Sequence, residues 1–205
     1  MKIIDKIKFS YEDELYILGD VIDRGPKSIE CIKWIMEQDN VLTILGNHEL
    51  MFYDNVIHNA PAFFNTVTQV RESMSEDEVE KIMSWIENMP EMKIITVVGK
   101  KFFLNHTQVI SDEYLKEDLT DRMFPSYSKY KDYYNLEVKD IISVHGHIPT
   151  LQMRVWNKQE KSNCIWKNKT NTIIDIDCGA GYPKEGGCLG CLRLNDMEEF
   201  YAEIE

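Results

Sequence analysis

What the chain lacks narrows the field first. None of its 205 residues falls in a run of about eighteen apolar side chains, the length a helix needs to cross a bilayer, so a membrane-spanning helix is excluded. Met1 to Lys8 is amphipathic, with neither an apolar h-region nor a small-residue cleavage site, so the cytoplasm is the expected location. Positive charge is short as well. Against 35 Asp and Glu stand 23 Lys and Arg, a formal net charge of -12 that repels polyanions and argues against a nucleic-acid or anionic-membrane partner. Divalent cations held in a site could still supply local positive charge for a phosphate. Cysteines are few and odd in number, five, and a chain of this length can bury a core without disulfides, so reduced thiols are expected. Cys188 and Cys191 form a C-x-x-C, but they follow a Gly pair in a strand-like run. Residues three apart on a strand face opposite ways, and no second Cys pair or C-x-x-H stands near to complete four zinc ligands. No repeat, linker or low-complexity tract divides the chain, and one domain is the expectation.

What is there alternates strand and helix signals. Glu14 to Leu18 is a short apolar and aromatic run stopped by Gly19-Asp20, the pattern of a buried strand ending in a loop. Pro26 opens a helix, where its missing N–H is no loss, and Ile29, Ile32, Ile35 and Met36 recur at helical spacing between Lys27 and Gln38. Val41 to Leu45 reads as a second strand, stopped by Gly46, and Glu49 to about His58 reads as helix. Ser75-Glu76-Asp77-Glu78 is a capping box that starts a further helix, ended by Pro90, with Val79, Ile82, Met83, Ile86 and Met89 as its buried stripe. The remainder is strand-rich: Lys93 to Val98, Lys101 to Leu104, Asp140 to Val144, Thr172 to Ile176 and Gly190 to Leu194. The aromatic stretch Tyr127 to Tyr134 and the polar stretch Asn157 to Thr170 read as loops or a hairpin excursion. Such alternation predicts an α/β fold, in which functional residues gather at the carboxyl ends of strands.

Four strand ends carry the polar chemistry: Gly19-Asp20-Val21-Ile22-Asp23-Arg24-Gly25, Gly46-Asn47-His48-Glu49, Asn105-His106-Thr107 and His145-Gly146-His147-Ile148-Pro149. Carboxylate, amide oxygen and imidazole nitrogen suit hard or borderline divalent metals, and loops can gather them from distant positions. In order and spelling these motifs resemble the calcineurin-like metallophosphoesterases, and among them the bacteriophage-lambda-type and bacterial serine/threonine protein phosphatases. Thr172 to Ala180 resembles that family's closing strand. The resemblance implies two mixed β-sheets in a sandwich flanked by helices, with the motif loops meeting at one edge. It makes Asp20 the carboxylate bridging two divalent ions (Mn, Fe or Zn), with Asn47, His106 and His147 as further ligands. His48 is then general acid at the leaving oxygen, Asp23 orients its imidazole, Arg24 clamps the phosphoryl oxygens, and a metal-bound hydroxide is the nucleophile.

Departures from the family leave other readings open. Thr107 stands where the family usually has a small residue, so His106 could instead be a hydrogen-bonded structural histidine. His145 is read as lining or supporting the site, His58 as a surface or packed histidine, and Asp23 with Arg24 as an ion pair in a turn if the other motifs are ignored. The family's first motif, a Gly-Asp-x-His-Gly loop about thirty residues before the second, is absent, and Lys2 to Phe9 resembles the end of the helix that follows it. The resemblance therefore implies a missing first strand and one ion in this chain where the family holds two. The expected activity is hydrolysis of phosphomonoesters, on phosphoserine and phosphothreonine in proteins or on small phosphoesters. The alternatives are hydrolysis of dinucleoside polyphosphates and a catalytically impaired module that binds phosphate or a partner protein.

Overall fold

The computed structural model describes residues 2–58, 65–109, 111, 114–125 and 127–204. In chain order the first elements are α1 (Lys2–Ile7), β1 (Leu15–Ile17), α2 (Ser28–Met36), β2 (Val41–Thr43), α3 (Asn47–Ile57), α4 (Asn65–Ser73) and α5 (Glu76–Glu87). There follow β3 (Met92–Val97), β4 (Lys100–Asn105), α6 (Leu119–Met123), β5 (Ile142–His145), α7 (Thr150–Trp156), β6 (Trp166–Lys167), β7 (Ile173–Asp175), β8 (Cys188–Arg193) and β9 (Glu198–Glu203). They form two compact units, Tyr11–Glu91 and Met92–Glu205 with Met1–Ser10. The α/β expectation is met.

In Tyr11–Glu91, β1 and β2 pair in parallel, Leu15 opposite Val41 and Ile17 opposite Thr43. β1 cannot continue, because Gly19 and Asp20 take φ of 80° and 55°, outside the range of a pleated strand. α2 buries Ile32 and Ile35, as their spacing predicts. α3 starts at Asn47, two residues before the expected Glu49, so the Gly-Asn-His-Glu motif is the cap and first turn of a helix rather than the loop leading into one. The physical reason is Glu49, whose carboxylate turns back to the Gly46 N–H. α4 has too few apolar positions to be read in advance, yet it buries Val67 and Val70. α5 opens on the expected capping box, with Ser75 Oγ accepting from the Glu78 N–H at 3.4 Å and Glu78 Oε2 accepting from the Ser75 N–H at 3.0 Å.

The other unit is built on a mixed five-stranded sheet in the order β3-β4-β5-β7-β6. Its central strands β4, β5 and β7 are parallel, with Leu104 opposite Val144 and Val144 opposite Ile174, all buried. That register sets the ends of β4 and β5 side by side, and a Gly146 N–H to His106 carbonyl bond of 2.9 Å continues the pairing into the loops. Tyr127–Asp132, expected as loop, is a short 3-10 helix, because Tyr130 and Tyr133 enter a core with Met153, Trp166 and Ile173. The polar stretch 157–170 likewise holds β6, whose fully buried Trp166 donates to Gln159 Oε1 at 2.7 Å. β8 and β9 form an antiparallel pair, and Cys188 and Cys191 lie three apart on β8, opposite Glu203 and Phe200. Among the described residues no helix is long and apolar enough to cross a membrane.

Two consequences can be measured at the start of α5. Ser75→Ala should cost about 1 kcal/mol in denaturant unfolding, the usual worth of such a cap. Hydrogen bonds from Lys33, then from Ser75, bring the Glu78 carboxyl down from 4.5 to about 2. The Glu78 contribution is therefore present above 4.5 and disappears as pH falls towards 2. The gap between wild type and Ser75→Ala should shrink over that interval; a gap constant with pH would separate Glu78 from the cap.

Candidate active site

In Tyr11–Glu91 the site grows from one buried carboxylate. Glu49 has no exposed surface, and its Oε2 accepts from the N–H groups of Asp20 at 2.8 Å and Gly46 at 3.0 Å, while Oε1 accepts from Val21 at 2.8 Å. These charge-assisted bonds tie the loop after β1 to the first turn of α3. Asp20 Oδ1 returns the tie by accepting from the His48 N–H at 3.2 Å. Gly46 is enforced by this crowding, since a Cβ there would stand 2.5 Å from Asp20 N, Asp20 Oδ1 and Glu49 Oε2.

The next turn presents a histidine–carboxylate pair. Asp23 N–H donates to Ser28 Oγ at 3.1 Å and Thr66 Oγ1 at 3.0 Å, holding a residue whose φ is 69°. Its Oδ2 meets His48 Nδ1 at 2.7 Å, with both side chains about 95% buried. The other imidazole nitrogen, Nε2, lies 3.3 Å from an Arg24 Nη2 and 3.9 Å from Asp20 Oδ2. Arg24 is the centre of a γ-turn, with φ of 60° and the Gly25 N–H on the Asp23 carbonyl at 2.6 Å. Burial presses the His48 pKa down, but the Asp23 hydrogen bond and the Asp20 charge outweigh it and the net shift is upward. The ring thus has Nδ1 committed to Asp23, and its other nitrogen, Nε2, is the atom positioned to exchange a proton.

In the other unit, β4 delivers His106 and the turn after β5 delivers His147. His147 has φ of 71°, and the Ile148 N–H closes a γ-turn on the Gly146 carbonyl at 2.9 Å. His147 Nδ1 and His106 Nε2 are 3.1 Å apart, the rings edge to face at 80°. Two nitrogens each bound at roughly 2.1 Å to one ion, at ordinary ligand angles, would lie about 3.0–3.4 Å apart, so the pair fits a divalent metal. Thr107 is accommodated because its hydroxyl donates to the Arg122 carbonyl at 2.5 Å. His145 does not join the pair. It is wholly buried, packs against the rings of Tyr130 and Tyr133, and burial pushes its pKa down to about 4, so it stays neutral. His58 lies on the surface beside Asp54 at 3.2 Å.

Of the expected site residues, one unit therefore gathers Asp20, Asp23, Arg24, Asn47 and His48, and the other His106 and His147. Asn47 is buried at the first position of α3. The carboxylate and amide oxygen of one unit and the two imidazoles of the other are donor types suited to borderline metals. Glu49, Ser28 and Thr66 were not anticipated as supports. For Glu49 the signal was there, an acid three residues after a glycine at a helix start; Ser28 and Thr66 carry none.

The first 176 residues match the family model described as calcineurin-like phosphoesterase. Among curated proteins, the symmetrical bis(5'-nucleosyl)-tetraphosphatase of Erwinia tasmaniensis is 27% identical over 97 residues, 45% of this chain and 34% of that protein. The proteins of the same name from Actinobacillus pleuropneumoniae serotype 5b and Pasteurella multocida are 28% and 24% identical, covering 53% and 54% of this chain and 39% and 40% of theirs. The matched segment thus spans a third to two fifths of these relatives. A crystal structure provisionally named a diadenosine tetraphosphatase shares the fold, with a TM-score of 0.65 at 14% identity, covering 98% of this chain and 85% of that one.

Two predictions follow from the geometry. Glu49→Gln places an amide NH2 against backbone donors and should cost at least about 2 kcal/mol, with the Asp20, Val21 and Gly46 amide resonances shifting together. In protein treated with a chelator, His48 should titrate above 6.5 by NMR, and Asp23→Asn should lower it. Because the folded pKa is the higher one, this pair's stabilisation is complete below 6.5 and lost as pH rises through the folded value. A His48 titrating below 6.5 would contradict the assignment.

Proposed function

Because the chain belongs to the calcineurin-like phosphoesterase family, we propose that it works as one domain and hydrolyses phosphate esters or anhydrides with the help of divalent metal ions. The observation that carries this reading is the His48 imidazole, fixed by Asp23 at 2.7 Å on one nitrogen and facing Arg24 at 3.3 Å with the other. In this reading His48 gives its Nε2 proton to the leaving oxygen. Asp23 keeps the ring oriented and protonated, and Arg24 holds phosphoryl oxygens through its planar fork. Asp20 and Asn47 of one unit and His106 and His147 of the other would serve as metal ligands, and the metal, when bound, would supply an activated water near neutral pH and neutralise phosphoryl charge. Arg24 shares its loop with the acidic Asp20 and Asp23, so phosphate binding is expected to depend on the metal as well.

For the substrate, the tetraphosphatase relatives favour a dinucleoside polyphosphate. A second reading, phosphoserine or phosphothreonine in proteins, is favoured by the dyad. A nucleoside diphosphate departs as an ionised oxygen with little help, whereas a serine alkoxide needs the proton that His48 is built to give. The leaving group therefore separates the two readings.

The test is turnover of diadenosine tetraphosphate, a phosphoserine peptide and nitrophenyl phosphate with manganese, each repeated after chelation. Activity should vanish with the metal. His48→Asn should lower turnover of an alkyl phosphate by about 100- to 10,000-fold and of nitrophenyl phosphate by less, at unchanged metal content. A defect equal on all leaving groups, or one that follows metal loss, would remove His48 from the acid role.

A further inference from the structure

We infer that Tyr130 is a positioning residue for the metal-binding histidines of the Met92–Glu205 unit, an inference that rests on the ligand roles proposed above for His106 and His147. Tyr130 has no exposed surface. Its hydroxyl donates to the Thr107 carbonyl at 2.8 Å, on the residue that follows His106. Its ring lies 22° from the plane of the His147 ring, with centroids 6.5 Å apart, within the range over which aromatic rings hold one another. On another side Trp156 stacks on Tyr130 at 6.2 Å and 29°, so the tyrosine is itself wedged. One side chain thus bears on both loops whose nitrogens meet at 3.1 Å.

Both loops need such a restraint. His147 sits at φ 71°, a conformation that a non-glycine residue keeps only when its surroundings impose it. Thr107 is gripped from two sides, its hydroxyl on the Arg122 carbonyl and its own carbonyl under the Tyr130 hydroxyl. Removing that hydroxyl leaves Thr107, and with it the adjoining His106, freer to move and the spacing of the two nitrogens less well defined. Residues that orient metal ligands from behind commonly change metal affinity by about 10- to 100-fold. Tyr133 is the natural control. It is buried in the same cluster, its hydroxyl accepts from the Val109 N–H at 3.4 Å and its ring meets that of His145.

The experiment compares Tyr130→Phe, Tyr133→Phe and His106→Ala in the full chain, titrating manganese calorimetrically at a temperature where each is folded and measuring its unfolding midpoint separately. His106→Ala should lose manganese binding. Tyr130→Phe should bind about tenfold more weakly, and Tyr133→Phe as wild type, whatever each does to the midpoint. Loss in His106→Ala with wild-type affinity in Tyr130→Phe would overturn the positioning role, and so would equal weakening in both tyrosine variants, since that reports packing alone. Wild-type affinity in His106→Ala would instead overturn the ligand assignment on which the inference rests.

Discussion

The chemistry of Tyr11–Glu91 depends on one buried carboxylate. Glu49 makes no proposed contact with substrate or metal, yet its three backbone bonds decide where Asp20 stands and where α3 begins. Because Asn47 and His48 are the first residues of that helix, a proposed metal ligand and the proposed proton donor are placed by the same group. A buried charge is tolerated when donors surround it, and here the donors are peptide groups that a turn and a helix start would otherwise leave without partners. Gly46 completes the arrangement by leaving room for it.

Strain is the companion of this order. Asp20, Asp23, Arg24 and His147 all adopt left-handed φ values, each at a cost on the order of 1–3 kcal/mol. The restraints that hold Asp20, Asp23 and His147 are visible: the Glu49 carboxylate for Asp20, the Ser28 and Thr66 hydroxyls for Asp23, the aromatic core under His147. Side chains held this way need little reorganisation when a phosphoryl group arrives, which is how a rigid site favours a transition state. The mixed sheet has a matching role. Its parallel strands β4 and β5 bring two histidines 41 residues apart in sequence within 3.1 Å of each other.

The motifs were legible because the chemistry is written in short words directly after strands, and Gly19 and Gly46 mark where two of those words begin. The helical nature of Gly-Asn-His-Glu was harder to see. Its capping signal, Gly46 with Glu49, falls inside residues whose polarity reads as loop. Tyr130 and Trp166 were illegible for a different reason: their stretches are polar or irregular, and only tertiary packing makes them core. α7 hides as well, since Thr150 to Trp156 is short and only Met153 is fully buried among its apolar residues. The substrate branch is also missing from the motifs. They spell the phosphoryl and metal chemistry that protein phosphatases and dinucleoside tetraphosphatases share.

The central proposal is that Asp20, Asn47, His106 and His147 are ligands of a divalent ion. Its most direct test is an anomalous difference map from crystals grown with manganese. The account predicts a peak ligated by those four side chains, with His48 outside the coordination sphere. A peak that omits Asp20 or either histidine, or one that has His48 as a ligand, would contradict it.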